Sequence, residues 1–270
     1  MIFDSSQFRS KGEMFRHIRE NKESIMFKKK STLKRADGFS FSSCGGSNVK
    51  TVEDHIVKAN DLIPNYQDLS EINIQAIINT TNYFDSHRDV HFDGIWKKSL
   101  QEGAGRIKHI QEHNRGFADI ISDGKELKAF AKMFSWAELG ESYTGNTQAL
   151  VFDSKVLKSR NPFMFEQYAK GYVDNHSVGM QYVNIFLAEN SESKWDIEEK
   201  ENWEKYIGKI ANQEAVQDAG YFYGVLEAKV IEGSAVPWGS NPITPTTYNN
   251  KSIETKAMDY NRMIEQIKQM

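Results

Sequence analysis

From about residue 70 the chain alternates apolar and polar residues in short runs, and this period-two pattern constrains its fold more than any other feature. Ile72, Ile74, Ala76 and Ile78 alternate with polar neighbours, as do Leu127, Ala129, Ala131 and Met133; each set predicts one buried face of a half-covered strand. HSVGMQYVNIFLAE (176–189) keeps the same period, and YFYGVLEAKVIEGSAV (221–236) is a longer β-rich run that stops at the turn formers Pro237-Trp238-Gly239-Ser240-Asn241-Pro242. RIKHIQEH (106–113) fits a strand and a helical turn equally. Short strands separated by turn clusters and helical segments predict the α+β class, with a small, mostly antiparallel sheet flanked by helices.

Helical periods surround these runs. Met14, Phe15, Ile18, Ile25 and Met26 recur at near-helical intervals and lead into Lys28, Lys29 and Lys30, cations that favour a helix C-terminus, so one helix is predicted at about 12–29. Asn161 to Tyr172 reads as a helix closed by Gly171. Within a charged segment at 188–218, Trp195, Trp203, Ile207 and Ile210 predict an inserted surface helix. Ile253, Met258, Met263 and Ile267 predict a C-terminal helix behind the polar linker ITPTTYNN. Three units follow: a basic helical arm at 1–50 ending in the Gly/Ser-rich GFSFSSCGGSNVK, a central domain at 51–245, and a tail at 246–270. The first fifty residues carry eleven Lys and Arg against five Asp and Glu, although the whole chain is −3.

That balance excludes a global positive field, and the local run from Lys28 to Arg35 has few interleaved aromatics, so nucleic acid is disfavoured as a partner. A lone cysteine, Cys44, excludes a disulfide scaffold and a thiolate zinc cluster, and suits a reducing compartment. With no run near 18 apolar residues and no apolar leader, a soluble, non-exported protein is expected, with no membrane partner. There is no phosphate-binding G-x-x-x-x-G-K-[ST] and no H-E-x-x-H, and Gly103-Ala104-Gly105 lacks a third glycine, so no cofactor is expected. His87/His91 and His109/His113 have i,i+4 spacing that could serve zinc on a helix, but the first pair sits in a polar loop and the second where a strand would spread the ring nitrogens. No metal is expected.

The nucleophile search centres on Asn175-His176-Ser177-Val178-Gly179. A serine at a strand start, with glycine two residues on and on the same face, leaves room for a substrate carbonyl beside the hydroxyl. Such a hydroxyl needs a neutral imidazole to take its proton and a third group to orient that imidazole. His113 and Glu232 are candidates on other elements. Taken singly, the three also read as a turn serine, a loop histidine and a solvent-facing carboxylate.

Four blocks together resemble the prohead (head maturation) proteases of tailed phages, the family related to the herpesvirus assemblin-type serine proteases. Asp85-Ser86-His87-Arg88-Asp89-Val90 through Gly94-Ile95-Trp96 and Ser99-Leu100 is similar to its aspartate-rich opening; His113-Asn114 with Gly116 is similar to its histidine block. Gly171 followed by His176-Ser177-Val178-Gly179 resembles the nucleophile strand, and Glu232-Gly233-Ser234-Ala235-Val236 with the turn after it resembles the final strand. The match spans about 70–245. Asn114 stands where the family often has aspartate, His176 directly precedes the serine, and 188–218 lengthens the serine-to-acid connection.

The resemblance implies a sheet curled toward a barrel, Ser177 as nucleophile, His113 as general base and Glu232 as orienting acid. Glu227 is the alternative acid: five residues of strand put the two on opposite faces, so only one of them can point at His113. His176 is a competing base that should leave the strand opposite Ser177. The Gly239-Ser240-Asn241 turn is the expected part of the oxyanion wall. The implied role is cleavage of scaffold protein or of the scaffolding segment of the major capsid protein, and self-cleavage, inside the prohead or in the host cytoplasm. Homo-oligomerisation is left open, and the helical ends are expected to bind scaffold or shell or to pack on their own domain. The rival readings are a noncatalytic capsid-assembly protein of the same shape and a metal-dependent hydrolase.

Overall fold

A computed structural model describes residues 5–33, 63 and 66–248. The class is α+β. Its strands form two sheets, and among the described residues they do not close into a barrel. The first sheet has the order β5 (Leu127–Ser135), β6 (Asn146–Leu157), β1 (Glu71–Thr80), β9 (Thr246–Tyr248), antiparallel throughout. The second is built on β8 (Tyr221–Ala235). β7 (His176–Glu189) pairs antiparallel along one of its edges, while β2 (Asp89–His91) and β3 (Lys108–Gln111) pair parallel along the other; β4 (Ile120–Ser122) borders β3.

The sheets face each other across one core, where Ile72, Ile74, Ala76, Leu150 and Phe152 meet Val178, Met180, Val225 and Val230. Contact is closest at Gly233, where an added Cβ would lie 2.4 Å from the Phe152 ring. Because side chains alternate, Gly233 and its partner Val178 face the core, and Glu232, Ser234 and Ser177 face away from it. The β3–β8 register places His109 beside Gly233, on the core side.

The predicted N-terminal helix is two helices, α1 (Lys11–Glu20) and α2 (Lys22–Ser31), broken at Asn21, whose side-chain amide takes the His17 carbonyl at 2.9 Å. Ser10 caps α1 by accepting the Glu13 N–H. These helices pack on the domain: Met14, Phe15, Ile18 and Ile25 belong to the main core. α3 (Lys97–Gly103) follows β2, and α4 (Pro162–Ala169) is capped by Asn161, begins at proline and ends before left-handed Gly171. The inserted segment is α5 (Ile197–Tyr206), a 3₁₀ turn, and α6 (Gln213–Ala219). Trp203 and Ile210 bury against Phe222, whereas Trp195 precedes the helix and stands exposed.

Further differences have physical causes. β6 carries no clean alternation because Ala149, Leu150, Val151 and Phe152 are buried consecutively, covered on both faces. On β5 the expected inward set fails at Ala131 and Met133, which are exposed, because Phe130 and Phe134 turn the other face to a second cluster with Trp136 and Val151. Part of the predicted polar linker is β9, and Thr247 Oγ1 donates to the Gln75 carbonyl at 3.0 Å. The Gly/Ser linker with Cys44, His55, and the predicted C-terminal helix lie outside the described residues.

Candidate functional site

β3 ends at Gln111 and the chain reverses through Glu112 and His113, both left-handed at φ +50° and +57°, so that the Asn114 N–H reaches the Gln111 carbonyl. Two consecutive non-glycine residues in this region are strained, at about 1 kcal/mol or more each. The Glu112 N–H is held by the Ala235 carbonyl at 2.9 Å and the His113 N–H by Ser234 Oγ at 3.1 Å. The turn aims the His113 ring at Glu232, and Nδ1 lies 2.6 Å from Oε1. A carboxylate only accepts, so Nδ1 carries the proton and donates. Ser234 Oγ donates to the other oxygen, Oε2, at 2.7 Å.

Ser177 lies directly opposite Ser234, and Gly179 opposite Glu232. Residues so paired share a face, with Cβ atoms about 4.5–5.5 Å apart. Glycine at 179 is required by the acid: a Cβ there would fall 1.9 Å from Glu232 Oε1. All four groups are buried: Ser177 is 6% exposed, His113 7%, Glu232 4% and Ser234 0%. The structure thus brings His113 and Glu232 into contact and sets Ser177 on the same face; among the described residues no hydrogen bond joins Ser177 to His113. Catalytic hydrogen bonds are often loose before substrate binds. Glu227 pairs instead with Lys98 at 3.6 Å; the β7–β8 register shifts between it and Glu232, so the odd separation does not put them on opposite faces.

His176 points to the core. Its Nδ1–H donates to the Thr244 carbonyl at 2.9 Å, which leaves Nε2 to accept from the Tyr168 hydroxyl at 3.0 Å. Tyr168 oxygen then accepts from His109 Nε2–H at 3.1 Å, and His109 Nδ1 accepts from Ser154 at 2.9 Å. Burial among neutral partners lowers the His176 pKa to about 4, and His109 falls well below its usual range through burial and the neighbouring His176. His176 therefore has no ring nitrogen to offer Ser177.

At the start of β7 a cleft is lined by Asp85, His87, His91, Ser177, Ser240 and Asn241, among others. The 239–241 turn lies hard against β7, where a Cβ on Gly239 would sit 2.7 Å from the His176 carbonyl oxygen. The Asn241 amide is committed to Asn79 Oδ1 at 2.9 Å and Thr80 Oγ1 at 2.8 Å, so it braces the turn and offers no donor to an oxyanion. Asp85 accepts the His87 and Asp89 N–H groups at 2.8 and 2.9 Å; burial, with Asp89 beside it, raises its pKa to about 7. Asp89 binds Lys29 of α2 and accepts from the Tyr182 hydroxyl at 2.8 Å; His91 Nε2–H donates to Tyr182 at 2.9 Å, and its Nδ1 accepts from Asn79 at 2.9 Å. Sequence reasoning missed this chain. Lys29 sits in a cationic run that reads as solvated, and only the fold buries it.

The i,i+4 histidine pairs part company: His109 turns to the core and His113 to Glu232, while His91 joins Tyr182. Among the described residues, no group of three or more His, Cys, Asp or Glu side chains is placed to hold a metal ion. No described helix is long and apolar enough to cross a membrane. In comparisons with protein-family models, curated proteins and solved structures, nothing matches this chain.

Proposed function

We propose that the chain is a serine endopeptidase of the prohead-protease type, with Ser177, His113 and Glu232 in the roles of nucleophile, base and orienting acid. The observation that carries this reading is the 2.6 Å His113–Glu232 hydrogen bond on the face that also bears Ser177. With the proton held on Nδ1, the basic lone pair is on Nε2, as a base for a serine hydroxyl requires. His113 takes the Ser177 proton as Oγ attacks a peptide carbonyl. The tetrahedral intermediate collapses, the C–N bond breaks, and the imidazolium returns the proton to the leaving amine. Water, activated by the same imidazole, then hydrolyses the acyl-enzyme and frees Ser177. Glu232 stabilises the imidazolium, and backbone N–H groups near the 239–241 turn face the developing oxyanion.

The biological part of the proposal rests on the four sequence blocks. The substrates are scaffold protein or the scaffolding segment of the major capsid protein, together with the chain itself, and the place of action is the prohead interior or the host cytoplasm. The two facing sheets are read as two walls of the curled, barrel-like form of the assemblin-type enzymes.

A serine-directed phosphonate tests the reading. Wild type should gain one adduct, mapped to Ser177 by mass spectrometry, and cleave a scaffold peptide; Ser177→Ala should lose both, with a rate loss on the order of 10⁴- to 10⁶-fold. Absence of both adduct and cleavage would favour the noncatalytic assembly reading. Activity lost to a chelator yet retained in Ser177→Ala would mean a metal hydrolase.

A further inference from the structure

We infer that Ser234 is a positioning residue of this site, a hydroxyl that ties the Glu232 carboxylate and the His113 backbone into one arrangement. The inference rests on the peptidase reading above. Three hydrogen bonds close a loop through three residues: His113 Nδ1–H to Glu232 Oε1 at 2.6 Å, Ser234 Oγ–H to Glu232 Oε2 at 2.7 Å, and His113 N–H to Ser234 Oγ at 3.1 Å. Ser234 is fully buried, so water does not stand in for it.

Each bond removes a different freedom. A carboxylate bonded through one oxygen can still rotate about its Cγ–Cδ bond, and the Ser234 proton on Oε2 stops that rotation. His113 occupies a left-handed conformation at φ +57°, which persists only where the surroundings hold it. Its N–H has Ser234 Oγ as acceptor at 3.1 Å, a bond that fixes the backbone in that conformation. The position also demands a small side chain, because Ser177 stands directly across the strand pair. Few residues meet all three conditions. Alanine and valine lack the donor and the acceptor, and leucine adds bulk as well.

The test compares wild type with Ser234→Ala and Ser234→Thr, reading the His113 ring by ¹⁵N–¹H NMR and the rate of phosphonate labelling at Ser177. In Ser234→Ala the downfield Nδ1 proton should broaden or move. Labelling should slow about tenfold, a loss in kcat with KM unchanged for a cleaved peptide. Ser234→Thr, which keeps the hydroxyl, should restore most of each signal. If Ser234→Ala does not fold, Ser234→Cys takes its place, since its thiol is a weak donor and acceptor. An unmoved ring resonance would overturn the inference. Failure of wild type to label at Ser177 would overturn the peptidase reading alone, because the ring signals decide the role of Ser234 without turnover.

Discussion

The two faces of the second sheet each bury histidine, and they do so to opposite ends. On the core face His109 and His176 are linked through Tyr168 into a chain in which every proton has a neutral acceptor, running from Ser154 to the Thr244 carbonyl. On the outer face His113 meets a carboxylate whose two oxygens are both satisfied. Both imidazole sets are buried, so burial alone does not decide what a histidine can do. In the inner chain burial outweighs the Thr244 carbonyl and Asp174, which favour a second proton on His176, and its rings bind the layers together. The carboxylate beside His113 supplies the countercharge that proton transfer needs. Adjacent residues on β7, His176 and Ser177, fall on the two sides of this division.

The comparison breaks most visibly at Glu232. Glu232→Gln keeps the shape of the outer face but replaces the countercharge with an amide; kcat for peptide cleavage should fall about 10²- to 10⁴-fold with the circular dichroism unchanged. Retained activity would show that His113 works without it. Gly179→Ala perturbs the same carboxylate sterically, since the new methyl overlaps Oε1, and should cost about 10- to 100-fold in kcat. Removing the inner chain should have the converse signature. His176→Phe strands the Tyr168 hydroxyl and the Thr244 carbonyl, so urea unfolding should report a loss of roughly 2–4 kcal/mol, while labelling at Ser177 per folded molecule stays within about threefold.

Acid sharpens the same contrast. The folded-state pKa of His176 is lowered to about 4, against an ordinary value near 6.5, so between these the unfolded chain binds a proton that the folded one refuses. Its contribution is fully present above pH 6.5 and declines as pH falls toward 4, on the order of 3 kcal/mol in all. His176→Phe should flatten that acid limb. Glu189 runs the other way: both of its buried oxygens lack partners, and burial beside Asp196 and Glu199 raises its pKa to about 8 from 4.5. Its proton is retained on folding, so stability is greatest below pH 4.5 and falls as pH rises to 8. Glu189→Gln should flatten this alkaline limb, read by thermal melts from pH 5 to 9.

Alternation made β1, β7 and β8 legible, and with them the opposite facings of His176 and Ser177. It failed for β6, whose centre is covered on both faces, and for β9, whose partner strand lies about 170 residues earlier. The His113–Glu232 contact was beyond spacing arguments for a particular reason. It depends on the parallel register that sets Gln111 beside Ala235 and on a left-handed turn at Glu112 and His113, neither of which has a local signature without glycine. Parity did not separate Glu232 from Glu227, because the β7–β8 register shifts between them and breaks strict alternation; their contacts do. Lys29 was illegible because a buried lysine in a cationic run is compositionally identical to a solvated one.

That lysine links the beginning of the chain to the cleft. Lys29 reaches from α2 to Asp89, whose neighbour Asp85 lines the cleft that Ser177 shares. Withdrawal of the two N-terminal helices, by a cut or by exchange onto another surface, would leave adjoining acidic groups in the interior without their counterion. A cut that released these helices would thereby be registered at the cleft beside Ser177 as altered electric potential, with no relay of moving parts in between.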